Sequence, residues 1–248
     1  DTELFDPQTD SQIVSRYSLS TLAQRTPNKA ALQRAAGLIE SPATAVVGMV
    51  SRLADDKGFD LLAKVLDPMM ANLDMQLVVL GVGESKYHQL LTDYVARFPG
   101  RLSVRFTYNN ALEREVYAGS DMFLMPSYVE PCGLGQMIAM RYGSVPIVRA
   151  IGGLADTVQD YDPATQSGTG FVFGPYDALA LYTAIVRAGE LHRHPHLWRS
   201  LQERCMSVDS SWSRSAARYV EVYRWTMGQV AQGRREMPEH PGWVWFAR

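Results

Sequence analysis

The strongest constraint on this chain is a repeated alternation of short, β-branched apolar runs with segments of helical periodicity. TAVVGMVSRL (44–53) leads into DDKGFDLLAKVLDPMMANL (55–73), where Phe59, Leu62, Val65, Leu66 and Met69 fall at helical spacing. MQLVVLGVG (75–83) precedes ESKYHQLLTDYVARFPG (84–100), and LSVRFTY (102–108) precedes ALEREVYAG (111–119). DMFLMPS (121–127) precedes GLGQMIAMRYG (133–143), and SVPIVRA (144–150) is a fifth run. Parallel neighbours need a crossover connection, and strands buried on both faces read as continuous apolar runs. The pattern predicts an α/β fold with a Rossmann-like, doubly wound parallel sheet. Three more helices are expected at 177–189, 195–206 and 212–231.

Composition bounds what such a sheet can do. With 248 residues, 46% apolar and 20% charged, the chain suits one domain with appendages. A net charge of -2 argues against nucleic-acid binding through bulk charge. No apolar run reaches the roughly 18–20 residues of a spanning helix, and no charged-then-apolar leader is visible, so a soluble, cytoplasmic protein with no membrane partner is expected. Cys132 and Cys205 are too few for a disulfide framework and lack zinc spacing, which makes reduced thiols the simple reading. The opening DTELFDPQTD has no methionine and is already loop-like, so a piece of a longer chain is expected. The tail PEHPGWVWFAR is aromatic and proline-punctuated, and no periodicity places it.

Ligands of doubly wound sheets bind where strands end and helices begin. In SRLADDKG (51–58), Arg52 and Lys57 can converge on a diphosphate, a guanidinium fork beside a point charge. The same cations could instead pair with Asp55, Asp56 or Asp60. LGVGES lacks the third glycine of a dinucleotide fingerprint, with Lys86 in its place, so Gly81 and Gly83 read as a tight turn. Tyr108, before the Asn109-Asn110 turn, either stacks on a base or packs. In EPCGLGQ, Gly133 lets the chain enter a helix whose first amides, near Leu134 and Gly135, form an anion site. Glu130 is then either a helix cap or a ligand contact. Gly152 and Gly153 supply a second glycine turn at a strand end. His192, His194 and His196 lie close together, but Pro195 interrupts them and ELHRHPHLW reads as an interhelical loop, so no metal is expected. Cys132 has no base partner and is not read as a nucleophile.

VVGMVSRLADDKGFDLL, LVVLGVGES, YAGSDMFLMPSYVEPCGLGQMIAMRYGSVPIVRAIGGLADTV and GTGFVF together resemble the C-terminal half of bacterial glycogen synthase and plant starch synthase. These are retaining glucosyltransferases of the two-domain GT-B fold. The resemblance covers residues 1–227, since FDPQTD and NKAALQRAAGL are similar to the family's interdomain segment. It implies an interdomain linker and lead-in helix over 1–40, a nucleotide-sugar-binding domain over 41–231 and a tail over 232–248.

The resemblance also implies roles. Arg52 and Lys57 would hold the donor's diphosphate and Tyr108 would stack on its base. Glu130 would contact glucose hydroxyls, and with Arg52 and Lys57 would form the catalytic group. The amides of Leu134 and Gly135 would receive the distal phosphate, while Cys132 would line the sugar pocket beside Gly133, Gly152 and Gly153. The implied reaction moves glucose from ADP-glucose, or less often UDP-glucose, to the nonreducing 4-hydroxyl of an α-1,4-glucan with retention. No metal or other cofactor is implied, and the compartment would be the bacterial cytoplasm or the plastid stroma. Two positions depart from common patterns. Gly135 stands where the family commonly has threonine. Ile138 stands where many related transferases carry a second glutamate, although glycogen synthases lack that acid too.

The family's N-terminal domain, with its Lys-Thr-Gly-Gly motif and acceptor site, is absent from this sequence. The glucan would be met through that domain, so this chain alone is expected to bind donor without efficient transfer. Two alternatives stand beside this reading: a noncatalytic nucleotide-sugar-binding or regulatory module, and another retaining GT-B transferase using UDP-glucose.

Overall fold

The computed structural model describes residues 2–231, so the expected tail at 232–248 lies outside the described residues. Two units are present: residues 2–208, and a segment from Asp209 onward that carries one long helix. In the first unit, β1 (Ala45–Val50), β2 (Met75–Leu80), β3 (Leu102–Arg105), β4 (Met122–Met125), β5 (Val145–Arg149) and β6 (Phe171–Phe173) form one sheet in the order β3-β2-β1-β4-β5-β6. Every pairing is parallel. This is the expected doubly wound sheet. The winding reverses between β1 and β4, which opens a crevice above their carboxyl ends.

Successive side chains of a strand point to opposite faces, and here both faces are covered. Ala45, Val47 and Met49 of β1 and Met75, Leu77 and Val79 of β2 join one core. That core includes Phe59, Leu62 and Met69 of α2 (Phe59–Asn72), Leu91 of α3 (Ser85–Arg97), Leu181 and Ile185 of α7 (Ala178–His192), and Leu201 of α8 (Pro195–Met206). Val46, Val78 and Leu80 face the opposite way, onto Leu32 of α1 (Thr26–Ala36) and Val116 and Tyr117 of α4 (Asn110–Gly119). The remaining helices of this unit, α5 (Gly135–Arg141) and α6 (Gly152–Thr157), are short and follow β4 and β5.

Several boundaries differ from expectation for identifiable reasons. The run 102–108 is strand only to Arg105, because Arg105 pairs with Leu80 and β2 ends there. Helix 55–73 begins as a 3-10 turn over Asp55–Lys57 and becomes α-helical only after Gly58. The segment ELHRHPHLW is not an interhelical loop: α7 continues to His192 and α8 starts at Pro195, a ring already suited to the first turn. Gly152-Gly153 opens helix α6 as well as turning the chain, and β6 was not anticipated as an element. In the second unit, α9 (Trp212–Ala231) matches the expected span.

Candidate functional site

A cavity of about 520 Å3 sits at the reversal, a size typical of small-molecule sites. Its walls come from the ends of β1, β2 and β4 and from the loops that follow them. Arg52, Lys57, Tyr108, Glu130, Gly133, Leu134 and Gly135, all singled out from sequence, line it together.

One group of lining residues is charged. Lys57 Nζ lies 2.8 Å from Glu130 Oε2, which also accepts a hydrogen bond from the Ser127 hydroxyl at 3.2 Å. Both partners are largely shielded, their side chains 18% and 11% exposed. The pair also ties the loop after β1 to the loop after β4. Arg52 is more open, and its guanidinium reaches Asp56 Oδ2 at 3.3 Å while Lys57 reaches the same oxygen at 3.5 Å. The two cations therefore converge on one carboxylate oxygen. The ion pairing weighed from sequence occurs, but with Asp56 alone: Asp55 is taken by Lys86 and Tyr87, and Asp60 by the Tyr176 hydroxyl.

A second group is aromatic. Tyr108 lies in the loop between β3 and α4, 64% exposed. Its hydroxyl donates to Glu113 Oε2 at 3.3 Å, while the Tyr117 hydroxyl donates to Glu113 Oε1 at 3.2 Å. The Glu113 charge, then partial burial and that hydrogen bond, raise the Tyr108 phenol above its ordinary range, so the ring stays neutral. An exposed ring held by its hydroxyl presents a face, which suits stacking more than core packing.

The turn into α5 is locked from beneath. Gly133 adopts a φ of +71°, a left-handed conformation that glycine accepts without strain. The buried Gln136 amide then donates to the Gly133 carbonyl at 2.9 Å and to the Thr157 hydroxyl at 3.0 Å. Leu134 is the N-cap of α5 and is 65% exposed, so the helix start opens toward the cavity it lines.

Cys132, Gly152 and Gly153 are not among the residues lining the cavity. Cys132 is exposed beside it in the chain. The two glycines lie against the backbone of the Glu130–Cys132 segment: the Gly153 amide donates to the Glu130 carbonyl at 3.1 Å. A Cβ on Gly153 would fall 1.8 Å from the Cys132 carbonyl oxygen. The glycine turn thus seats the loop that carries Glu130. Among the described residues no cluster of three or more His, Cys, Asp or Glu is placed to hold a metal ion.

Sequence reasoning passed over Ser127, Gln136, Glu113 and Arg114. Ser127 and Gln136 had been quoted inside the right loops, yet a serine or an amide carries no signal until its partners are known.

Residues 37–199 match the family described as glycosyl transferases group 1. The chain belongs to this family. Among relatives of the group 1 transferases, glycogen synthase 1 of Synechocystis sp. is 47% identical over 229 residues, spanning 92% of this chain and 48% of that protein. The catalytic domain of starch synthase IV from Arabidopsis thaliana, solved bound to ADP and acarbose, superposes with a TM-score of 0.83 at 35% identity, covering 92% of this chain and 48% of that one. Sucrose-phosphate synthase from Thermosynechococcus elongatus, at 23% identity and a TM-score of 0.57, shares the fold. The chain spans about half the length of the curated relatives it matches. Among the described residues no helix is long and apolar enough to cross a membrane.

Proposed function

We propose that this group 1 transferase chain is the donor-binding half of a glycogen or starch synthase. It would take ADP-glucose and deliver glucose to the nonreducing 4-hydroxyl of an α-1,4-glucan with retention. The observation that carries the reading is the convergence of Arg52 and Lys57 on one oxyanion, 3.3 and 3.5 Å away, at the mouth of the switch-point cavity. A diphosphate brings more charge than a single carboxylate and matches a guanidinium bidentately, so it would displace Asp56. The likeness to a starch synthase solved with ADP supports the same ligand class.

In this reading the leaving diphosphate gathers charge as the glucosidic bond breaks, and Arg52 and Lys57 stabilise it. Leu134 and Gly135 offer amide donors to the distal phosphate. Glu130 is held against Lys57 and Ser127 and accepts from glucose hydroxyls, orienting the sugar. Tyr108 stacks on the base, a contact tolerant of base identity, so ADP-glucose and UDP-glucose are both donors to test. Gly135 in place of threonine withdraws one hydroxyl but keeps its amide.

Calorimetric titration of the chain with ADP and with UDP tests the assignment. Saturable binding is expected, weakened roughly tenfold by Arg52→Ala, the loss of one charge-assisted contact. Equally weak binding of both nucleotides, indifferent to that substitution, would sink it.

A further inference from the structure

The cavity has a wall that the donor-site residues do not account for. Leu4 and Phe5 line it, although they sit more than a hundred residues from Tyr108 in sequence. They belong to an N-terminal strap whose Leu4–Phe5 end is held by the buried Arg114 side chain. Arg114, 8% exposed, donates from Nη1 to the Leu4 carbonyl at 2.9 Å and pairs with Asp10 at 3.3 Å. Its guanidinium carbon lies 4.9 Å from the centre of the Phe5 ring. Farther along, Asp6 is bridged by Arg141 at 2.9 Å, and Asp10 accepts from the Tyr142 hydroxyl at 2.6 Å.

Two facts set this arrangement apart from ordinary loop anchoring. The strap carries open space on both sides, because Leu4 and Arg114 line a second cavity as well as the first. Phe5, half-buried, packs on the core beneath it, so the strap lies between that core and the cavity. In addition, the Arg114 Nε–H is buried with no partner among the described residues, although Arg114 lines the cavity. Buried donors are nearly always satisfied, so Arg114 keeps one donor that the strap contacts do not use. Arg114 immediately follows Glu113, the residue that holds Tyr108, so one turn of α4 organises both aromatic walls.

We infer that the Leu4–Phe5 strap forms a wall of the nucleoside subsite, with Phe5 a base contact and Arg114 the positioning residue that holds it there. The inference rests on the nucleotide reading above and adds the residues that bind the base side of the ligand. Phosphate affinity comes from Arg52 and Lys57, and nucleoside affinity from Tyr108 together with Phe5.

The test separates base from phosphate. In the full chain, Phe5→Ala and Arg114→Lys are expected to weaken ADP binding roughly five- to tenfold, the scale of one lost base–aromatic contact. Affinity for inorganic pyrophosphate should stay within twofold, and Phe5→Trp should restore ADP binding. Melting of the unliganded variants serves as the structural control. ADP affinity within twofold of wild type in Phe5→Ala would overturn the inference. So would a parallel loss of ADP and pyrophosphate that Phe5→Trp does not rescue, since the strap would then be scaffold. Wild-type chain that binds pyrophosphate but not ADP would remove the nucleoside subsite, whereas binding neither would remove the donor-site reading itself.

Discussion

Lys57 and Glu130, proposed above to meet the donor, form a shielded ion pair. Each is mostly shielded from water, and each is the other's nearest opposite charge at 2.8 Å. Removing one partner leaves the other desolvated and unpaired, which costs more than the pair contributes. Lys57→Ala should therefore lower stability by about 1–3 kcal/mol and the melting temperature by roughly 3–10 °C. Lys57→Ala combined with Glu130→Gln should recover most of that loss, since the orphaned carboxylate is gone, while ADP-induced stabilisation stays abolished in both. Thermal melting with and without ADP reads both outcomes, and a double variant no more stable than the single one would refute the ion-pair account. The residue types gathered at this cavity stood out in the sequence as cations and a carboxylate beside glycines at strand ends, although ion pairing and helix capping explained them as well there. The actual pairing was not legible. Which of Asp55, Asp56 and Asp60 meets the cations depends on Lys86, Tyr87 and Tyr176, residues contributed by other elements.

At the level of elements, the sheet is clamped at the end opposite the site. Asp121 just precedes β4 and is buried; its Oδ2 accepts from the Val46 amide of β1 at 2.9 Å and lies 2.7 Å from Lys29 Nζ of α1. Arg25 stands 3.9 Å away and His192 of α7 3.6 Å away. Burial by itself would raise this carboxyl, but the His192 imidazole beside it and the charges of Lys29 and Arg25 outweigh it and hold the group well below the usual carboxylate range. A depressed folded-state value stabilises the fold above the unfolded value, near pH 4, and that stability is lost as pH falls through the folded value. Asp121→Asn should cost about 3–5 kcal/mol near neutral pH, and the deficit should shrink below about pH 4, where the carboxyl of the unfolded chain takes up a proton that the native one does not. Urea unfolding of both proteins from pH 3 to 7 measures this, and a deficit that grows toward acid would contradict it. The strand and helix succession was readable because its periods are long and regular. The clamp was not, since it joins residues 25, 29, 46, 121 and 192, and no local pattern links them. β6 escaped for the opposite reason: three residues are too few to show a period.

At the scale of the molecule, the cavity proposed for the donor is open where the proposed transfer would need it closed. The Arg52 side chain is 70% exposed, and Tyr108 and Leu134 exceed 60%. In water a guanidinium stabilises a departing phosphate weakly, because the solvent screens the charge it is meant to meet. Transfer also needs an acceptor hydroxyl held in line, and fixing two reactants together supplies a large part of such a barrier. The chain spans only about half the length of its glycogen synthase relatives. In the second unit, α9 displays Trp212, Tyr219, Tyr223 and Met227 as exposed apolar side chains, the latter three at intervals of four and so along one face. The expected outcome is separation of binding from catalysis. The isolated chain should bind ADP saturably, yet transfer glucose from ADP-glucose to maltoheptaose at least about a thousandfold more slowly than a full-length relative, a deficit set by lost positioning and desolvation. Residual turnover should favour hydrolysis, because water reaches the sugar and no acceptor is held there. Radiolabelled transfer measured beside ADP titration decides between outcomes: ordinary transfer by this chain alone would show that its cavity closes without help.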